Sequence, residues 1–314
     1  MRRRTLLSAG LSAGFSAGLT ARSAAVLSPL LLTGCQAPGP ASLDKFGLQL
    51  STMTSLMLAD FEGTLAKVNE IGYQQIEFSA MGFLGRPVER VKELLATYNL
   101  EAPVGRVTPR LPENFFTLPR EVARKQFVER AQPKYLLENV THSLSIAVAL
   151  KQRYLILPLL APNNFQSLEQ VERSIALLNQ AATLCADQGV IFGYHNHNWE
   201  FSPVDGVIPF DLMLEQTNPA QFTFQLDAYW LTKAGGILSD YLSRFAGRFA
   251  TCHLKDIDEA GDFADVGDGL IDFPDFTREA LAQGAQYFFV ERDNPPDPTD
   301  SAQRSYSYLR KMTF

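Results

Sequence analysis

Gly189-Val190-Ile191-Phe192-Gly193-Tyr194-His195-Asn196-His197-Asn198-Trp199-Glu200-Phe201 is the stretch that decides the fold. A short apolar run of strand length stops at two imidazoles, with an indole and a carboxylate just beyond. Later apolar runs end in the same way. Asp227 closes Phe222-Thr223-Phe224-Gln225-Leu226, His253 closes Phe249-Ala250-Thr251-Cys252, and Glu291 closes Tyr287-Phe288-Phe289-Val290. Parallel strands whose carboxyl ends carry such groups aim them at one point, as at the active face of a (β/α) barrel. Imidazole and carboxylate together suit Zn, Mn, Co or Fe, so the chain is expected to hold one divalent metal.

Outward from this stretch, short apolar runs alternate with longer amphipathic ones, the pattern of repeated βα units around a parallel sheet. The expected strands are 46–50, 75–78, 101–105, 154–157, 190–194, 222–226, 249–252 and 287–290. Helical patterns run over 61–71, 87–98, 120–150, 167–188 and 238–246. Gly72, Asn99 and Gly189 stand where helices should stop. Eight strands predict a single closed α/β barrel over residues 44–314, a size of ~270 residues that suits one such domain. An open doubly wound sheet would show a glycine-rich phosphate turn after its first strand. Ser51-Thr52-Met53-Thr54 stands there instead, and Val266-Gly267-Asp268-Gly269-Leu270-Ile271-Asp272-Phe273 reads as a loop.

The amino terminus reads as an export signal over residues 1–35. Arg3-Arg4-Thr5-Leu6-Leu7 resembles a twin-arginine leader, and Leu32-Thr33-Gly34-Cys35 resembles a lipobox in which Cys35 is lipidated. Residues 36–43 are expected to be a flexible tether. The expectation is an exported lipoprotein, periplasmic or on the outer membrane, attached to the membrane through Cys35. Cys185 and Cys252 read as buried apolar residues, with no disulfide framework. A net charge of −6 without basic clusters argues against nucleic acid as a partner.

Around the strand ends, further residues suit substrate contacts. His197 lies two positions from His195, so a continuing strand would turn both to one side. Glu200 can bind substrate or reach back toward a ligand, and the indoles of Trp199 and Trp230 can stack on a sugar. Glu77 ends the second strand and can bind hydroxyls or orient a ligand. In His253-Leu254-Lys255-Asp256, Lys255 suits a substrate oxygen and Asp256 would orient it.

Taken together, the motifs from Gly72-Tyr73 to Glu77, Tyr194-His195-Asn196-His197 with Glu200-Phe201, Leu226-Asp227, His253-Leu254-Lys255-Asp256, Gly267-Asp268-Gly269 with Ile271-Asp272, and Val290-Glu291-Arg292-Asp293 resemble the sugar phosphate isomerase/epimerase family of xylose isomerase-like barrels. The resemblance implies a metal at the barrel mouth held by two Glu, an Asp and a His. Asp227, His253 and Glu291 match by position, while His195 stands where the epimerases place their other Glu. It further implies proton abstraction beside a carbonyl through an enediolate, with Glu291 or His195 moving the proton. Members with a Tyr-His-x-His strand ending resemble inosose dehydratases and lyases of 3-keto-glycosides, which makes β-elimination the alternative. Export favours an unphosphorylated carbohydrate substrate. Phosphodiester hydrolysis by a related endonuclease IV-like barrel would need more ligands than four histidines supply, and a surface sugar-binding lipoprotein is the non-catalytic alternative.

Overall fold

The computed structural model describes residues 41–314. The export signal, Cys35 and the tether up to residue 40 lie outside the described residues. Eight parallel strands close into a barrel: β1 (Gly47–Gln49), β2 (Gln75–Glu77), β3 (Glu101–Arg106), β4 (Tyr154–Leu157), β5 (Ile191–His195), β6 (Phe222–Asp227), β7 (Phe249–Leu254) and β10 (Tyr287–Val290). Their order around the barrel is β1-β10-β7-β6-β5-β4-β3-β2. A small antiparallel hairpin, β8 (Asp256–Ile257) and β9 (Phe263–Ala264), sits in the loop after β7.

Both faces of these strands are covered, so nearly every strand residue is buried, polar ones such as Gln49, Gln75, Glu77, Thr223 and Gln225 included. Inside the barrel, Val104, Tyr154, Ile156 and Phe289 pack into a separate apolar plug. Outside it, a second and larger core joins the strands to the helices, with Phe192, Phe222, Phe224 and Phe249 fully or almost fully buried. The plug closes the barrel floor, so polar side chains gather at the carboxyl ends of the strands.

The structure departs from the expected element bounds in three informative ways. Strands β5, β6 and β7 extend to take in His195, Asp227 and His253, so these residues are fixed by ladder hydrogen bonds rather than sitting on free loops. The helical pattern expected over 120–150 is two helices, Arg120–Arg130 and Leu136–Ala149, with a 3-10 turn at Pro133–Tyr135 between them. Pro133 has no amide hydrogen to continue the first helix. Finally, Ala41 exchanges two backbone hydrogen bonds of 2.9 Å with Phe314 and Leu43 is buried, so the expected tether is already docked at its last residues.

Candidate metal centre

Register brings the ligands together. Asp227 on β6 lies opposite His253 on β7, and His195 on β5 lies opposite Gln225 on β6. Glu291 follows β10 directly, its amide bonded to the carbonyl of Leu254. One ligand atom from each of His195, Asp227, His253 and Glu291 falls within 4.8 Å of all the others, and all four residues are buried. Asp227 Oδ2 is 3.7 Å from His195 Nε2 and 3.8 Å from His253 Nδ1, while Glu291 Oε2 is 2.9 Å from His253 Nδ1.

Each ligand is oriented by a named partner. Asp227 caps its own following helix, Ala228–Lys233: Oδ1 accepts from the Trp230 amide at 2.9 Å, and the buried Oδ2 has no hydrogen-bond partner. His195 Nδ1 lies 3.1 Å from Gln225 Oε1, which selects the tautomer with Nε2 bare toward the cluster. On His253, Nε2 meets Glu77 Oε2 at 2.7 Å, leaving Nδ1 for the cluster. Such carboxylate–histidine pairs behind a ligand raise its basicity and fix its ring. A buried carboxylate oxygen without a donor, beside the bare Nε2 of His195 and the Nδ1 that His253 would turn to a metal once deprotonated, fits a divalent cation of the Zn, Mn, Co or Fe type.

The charges are strongly shifted by burial and by one another. Burial alone would deprotonate His253, but the carboxylates of Glu291 and Glu77 outweigh it and hold the imidazole up at about 9. Burial pushes the Asp227 carboxyl up to about 7. Burial, then the charges of His253 and Arg106, keep His195 neutral, well below the usual range. Burial would raise Glu291, yet Lys255 and His253 overcome it and hold the carboxyl well below the ordinary carboxylate range. A cation must displace the proton on His253 and, below pH 7, one on Asp227. Apparent metal affinity should therefore rise about tenfold per pH unit between pH 7 and 9, and more steeply below pH 7. Metal titrations at a series of pH values check this, and a flat profile contradicts it. Without metal, the raised His253 value contributes stability that is fully present below pH 6.5 and is lost as pH rises through about 9.

Of the two roles expected of Glu77, substrate contact or orienting a ligand, the geometry shows the second, and Glu200 and Asp256 are engaged by the loops around the site. Glu77 is fully buried behind His253, and it accepts from Gln49 Nε2 at 2.7 Å and Gln225 Nε2 at 3.0 Å and pairs with Arg106 at 3.3 Å. It positions a ligand and touches no open space. Glu200, also fully buried, accepts from Tyr194 Oη at 2.5 Å and the His197 amide at 2.9 Å, which fixes the loop after β5. Asp256 accepts four backbone amides, from Ile257, Gly267, Gly269 and Ile271, and so organises the loop after β7. Gly269 is required there, because a Cβ would collide with that carboxylate. His195, the other expected proton carrier, has Nδ1 tied to Gln225 and Nε2 turned to the cluster.

Lys255, His197 and Trp230 do line the region beside the ligands. The Lys255 ammonium is 3.2 Å from Glu291 Oε2 and 2.7 Å from Asp293 Oδ2, and these carboxylates and Asp227 keep it charged despite burial. The His197 ring lies 5.1 Å from that of His195 and 5.2 Å from that of Trp230. Sequence reasoning did not place Gln49, Ser51, Gln225 or Asp293 in the site. Gln49 and Gln225 were marked only as polar residues within apolar strands, on the same strand face as the second-strand carboxylate or the ligand they serve.

A closed parallel barrel carries at its mouth a buried four-residue cluster able to hold a metal. The chain belongs to the xylose isomerase-like TIM barrel family, whose model matches residues 65–312. Among curated relatives, inosose dehydratase of Geobacillus thermodenitrificans is 26% identical over 156 residues, 43% of this chain and 52% of that protein. The chain thus spans about half the length of the curated relative it matches. A sugar phosphate isomerase/epimerase from Parabacteroides distasonis superposes with a TM-score of 0.71 at 23% identity, covering 85% of this chain and 98% of that one. The 3-keto-D-glucoside 4-epimerase of E. coli gives a TM-score of 0.60 at 15% identity, over 85% of this chain and 99% of that one. At these identities the two structures share the fold.

Proposed function

We propose that the protein is a divalent-metal-dependent isomerase or epimerase of a sugar or keto-sugar that abstracts a proton next to a carbonyl and passes through an enediolate. The observation that carries this reading is the setting of Glu291. Ser51 Oγ donates to its Oε1 at 2.5 Å, while Lys255 and His253 hold its Oε2. A carboxylate held in this way is ionised at neutral pH, the protonation state a base needs, and is fixed in one orientation. Lys255, charged and clamped between Glu291 and Asp293, is placed to donate to a substrate oxygen as negative charge develops on it. A bound divalent ion would supply Lewis acidity toward the carbonyl oxygen.

A second reading, β-elimination by a lyase or dehydratase on a 3-keto-glycoside or inosose-like substrate, is supported by His195. Epimerisation by the two-carboxylate route returns a proton to the opposite face from a second carboxylate. Here an imidazole stands on β5, and Asp227 is engaged as a helix cap. Elimination needs one base and one acid for the departing oxygen. Asp293, whose carboxyl is pushed up by burial and by Glu291, can be that acid.

Incubation with a panel of sugars and 3-keto-glycosides in deuterium oxide, followed by mass spectrometry, separates the readings. Deuterium uptake with unchanged composition marks an isomerase or epimerase, and loss of a leaving group marks a lyase. Absence of both deuterium uptake and leaving-group loss with every carbonyl substrate would defeat both readings. We further propose that the enzyme works outside the cytoplasm, anchored by lipid on Cys35, as the leader motifs support. Cys35→Ser should move the protein from the membrane to the soluble fraction, and unchanged fractionation would count against the anchor.

A further inference from the structure

The turn after β10 carries Glu291, Arg292 and Asp293 in succession. Glu291 and Asp293 turn to one side, where they meet the Lys255 ammonium at 3.2 and 2.7 Å. Arg292, between them, turns away and reaches Asp265, with Nη1 2.6 Å from Oδ1. Asp265 follows β9 directly and is buried, and it also accepts from Ser301 Oγ on the helix Pro298–Leu309. Very little backbone holds this turn. Among the described residues, the amides of Asp293 and Asn294 meet no acceptor, and Pro295 and Pro296 have no amide hydrogen to offer. The Arg292 amide donates to Thr52 Oγ1 at 3.0 Å, and the remaining anchor is the Arg292 side chain, whose Nε is buried with no partner.

We infer that Arg292 and Asp265 are positioning residues: their ion pair holds the backbone between Glu291 and Asp293 and sets the spacing at which both carboxylates meet Lys255. The catalytic consequence rests on the reading of Glu291 as the base, whereas the placement of the turn does not. Two carboxylates on one ammonium repel each other, so the arrangement needs a restraint from outside. Arg292 supplies it from the middle residue, where one anchor acts on both neighbours. Asp265 is a firm post for that anchor, since Ser301 holds the same carboxylate oxygen and Arg304 Nε lies 3.7 Å from the other. On the far side of the turn, Ser51 and Thr52 take Glu291 Oε1 and the Arg292 amide. A base must stay within reach of its proton, and a shift of about 1 Å at such a group costs up to about 100-fold in rate.

Crystal structures and deuterium-exchange kinetics of the wild type, Arg292→Gln, Arg292→Lys, Asp265→Asn and Ser301→Ala test this, with samples matched for metal content. In Arg292→Gln the Asp293 carboxylate should leave Lys255, with Oδ2 to Nζ beyond about 3.5 Å. Its kcat should fall about 10–100-fold with KM within about threefold of the wild type, the pattern of a misplaced reacting group rather than lost binding. Arg292→Lys keeps the charge and should recover most of the rate. Asp265→Asn, which keeps the shape and the Ser301 hydrogen bond, should repeat the loss from the other end and stands in if Arg292→Gln does not fold. Ser301→Ala loosens the same carboxylate without touching the turn, so it should lower stability and leave kcat near that of the wild type. An unmoved turn in the variants, a moved turn with unchanged kcat, or an equal loss in Ser301→Ala overturns the proposal. If the wild type itself exchanges no proton, the base assignment falls, and the crystal structures still decide whether Arg292 and Asp265 place the turn.

Discussion

Glu77→Ala destabilises the protein by about 3–5 kcal/mol, the range for removing one partner of a buried ion pair. The cause is the position of Glu77 between two buried cations, Arg106 at 3.3 Å and the His253 imidazole at 2.7 Å. Arg106 already has Nε and Nη1 buried without partners, so loss of its carboxylate leaves the whole guanidinium uncompensated. Chemical denaturation of wild type and variant measures the difference, and a loss below about 1 kcal/mol would contradict this role. Glu77→Gln tests the second duty of the residue. The amide still accepts from His253 Nε2 but no longer supplies charge, so the fold should persist while metal affinity falls about 10–100-fold, as for other partners behind metal ligands.

Glu291→Gln lowers turnover by about two to four orders of magnitude, the contribution of a positioned general base. The amide introduced by this substitution would retain a hydrogen bond to Ser51 or Lys255 but has no basic oxygen for a carbon-bound proton. Because Glu291 is also one of the four metal-competent residues, metal content and deuterium exchange must be measured on the same sample. Exchange lost with metal retained assigns Glu291 as the base, and full turnover in the variant removes it from the mechanism.

The barrel was legible because its strands are short apolar-rich runs, unbroken in Tyr287–Val290 and interrupted only by Thr223 and Gln225 in Phe222–Leu226, separated by longer helical patterns. The four metal-competent residues were legible for the same reason: a His, Asp or Glu that ends such a run has few neighbours but the barrel mouth. What a strand-end carboxylate faces was not legible. Glu77 sits at a strand end just as Asp227 does, yet it points beneath His253, because Gln49, Arg106 and Gln225 from three other strands converge on it. Such convergence depends on register across the barrel, which no local pattern encodes. Glu200 and Asp256 illustrate a related limit, since their partners are backbone amides and carry no side-chain signature. The break at Pro133 was readable from proline alone, although the apolar period on either side of it disguised two helices as one.

Counting bound metal in protein purified without chelators, by elemental analysis of the wild type and of Asp227→Ala, bears most directly on the cluster. One equivalent of a divalent transition metal per wild-type chain and little or none in the variant is the result expected of a centre built from His195, Asp227, His253 and Glu291. A full equivalent retained by Asp227→Ala, or a wild-type chain that binds no such ion at neutral or higher pH, would contradict it.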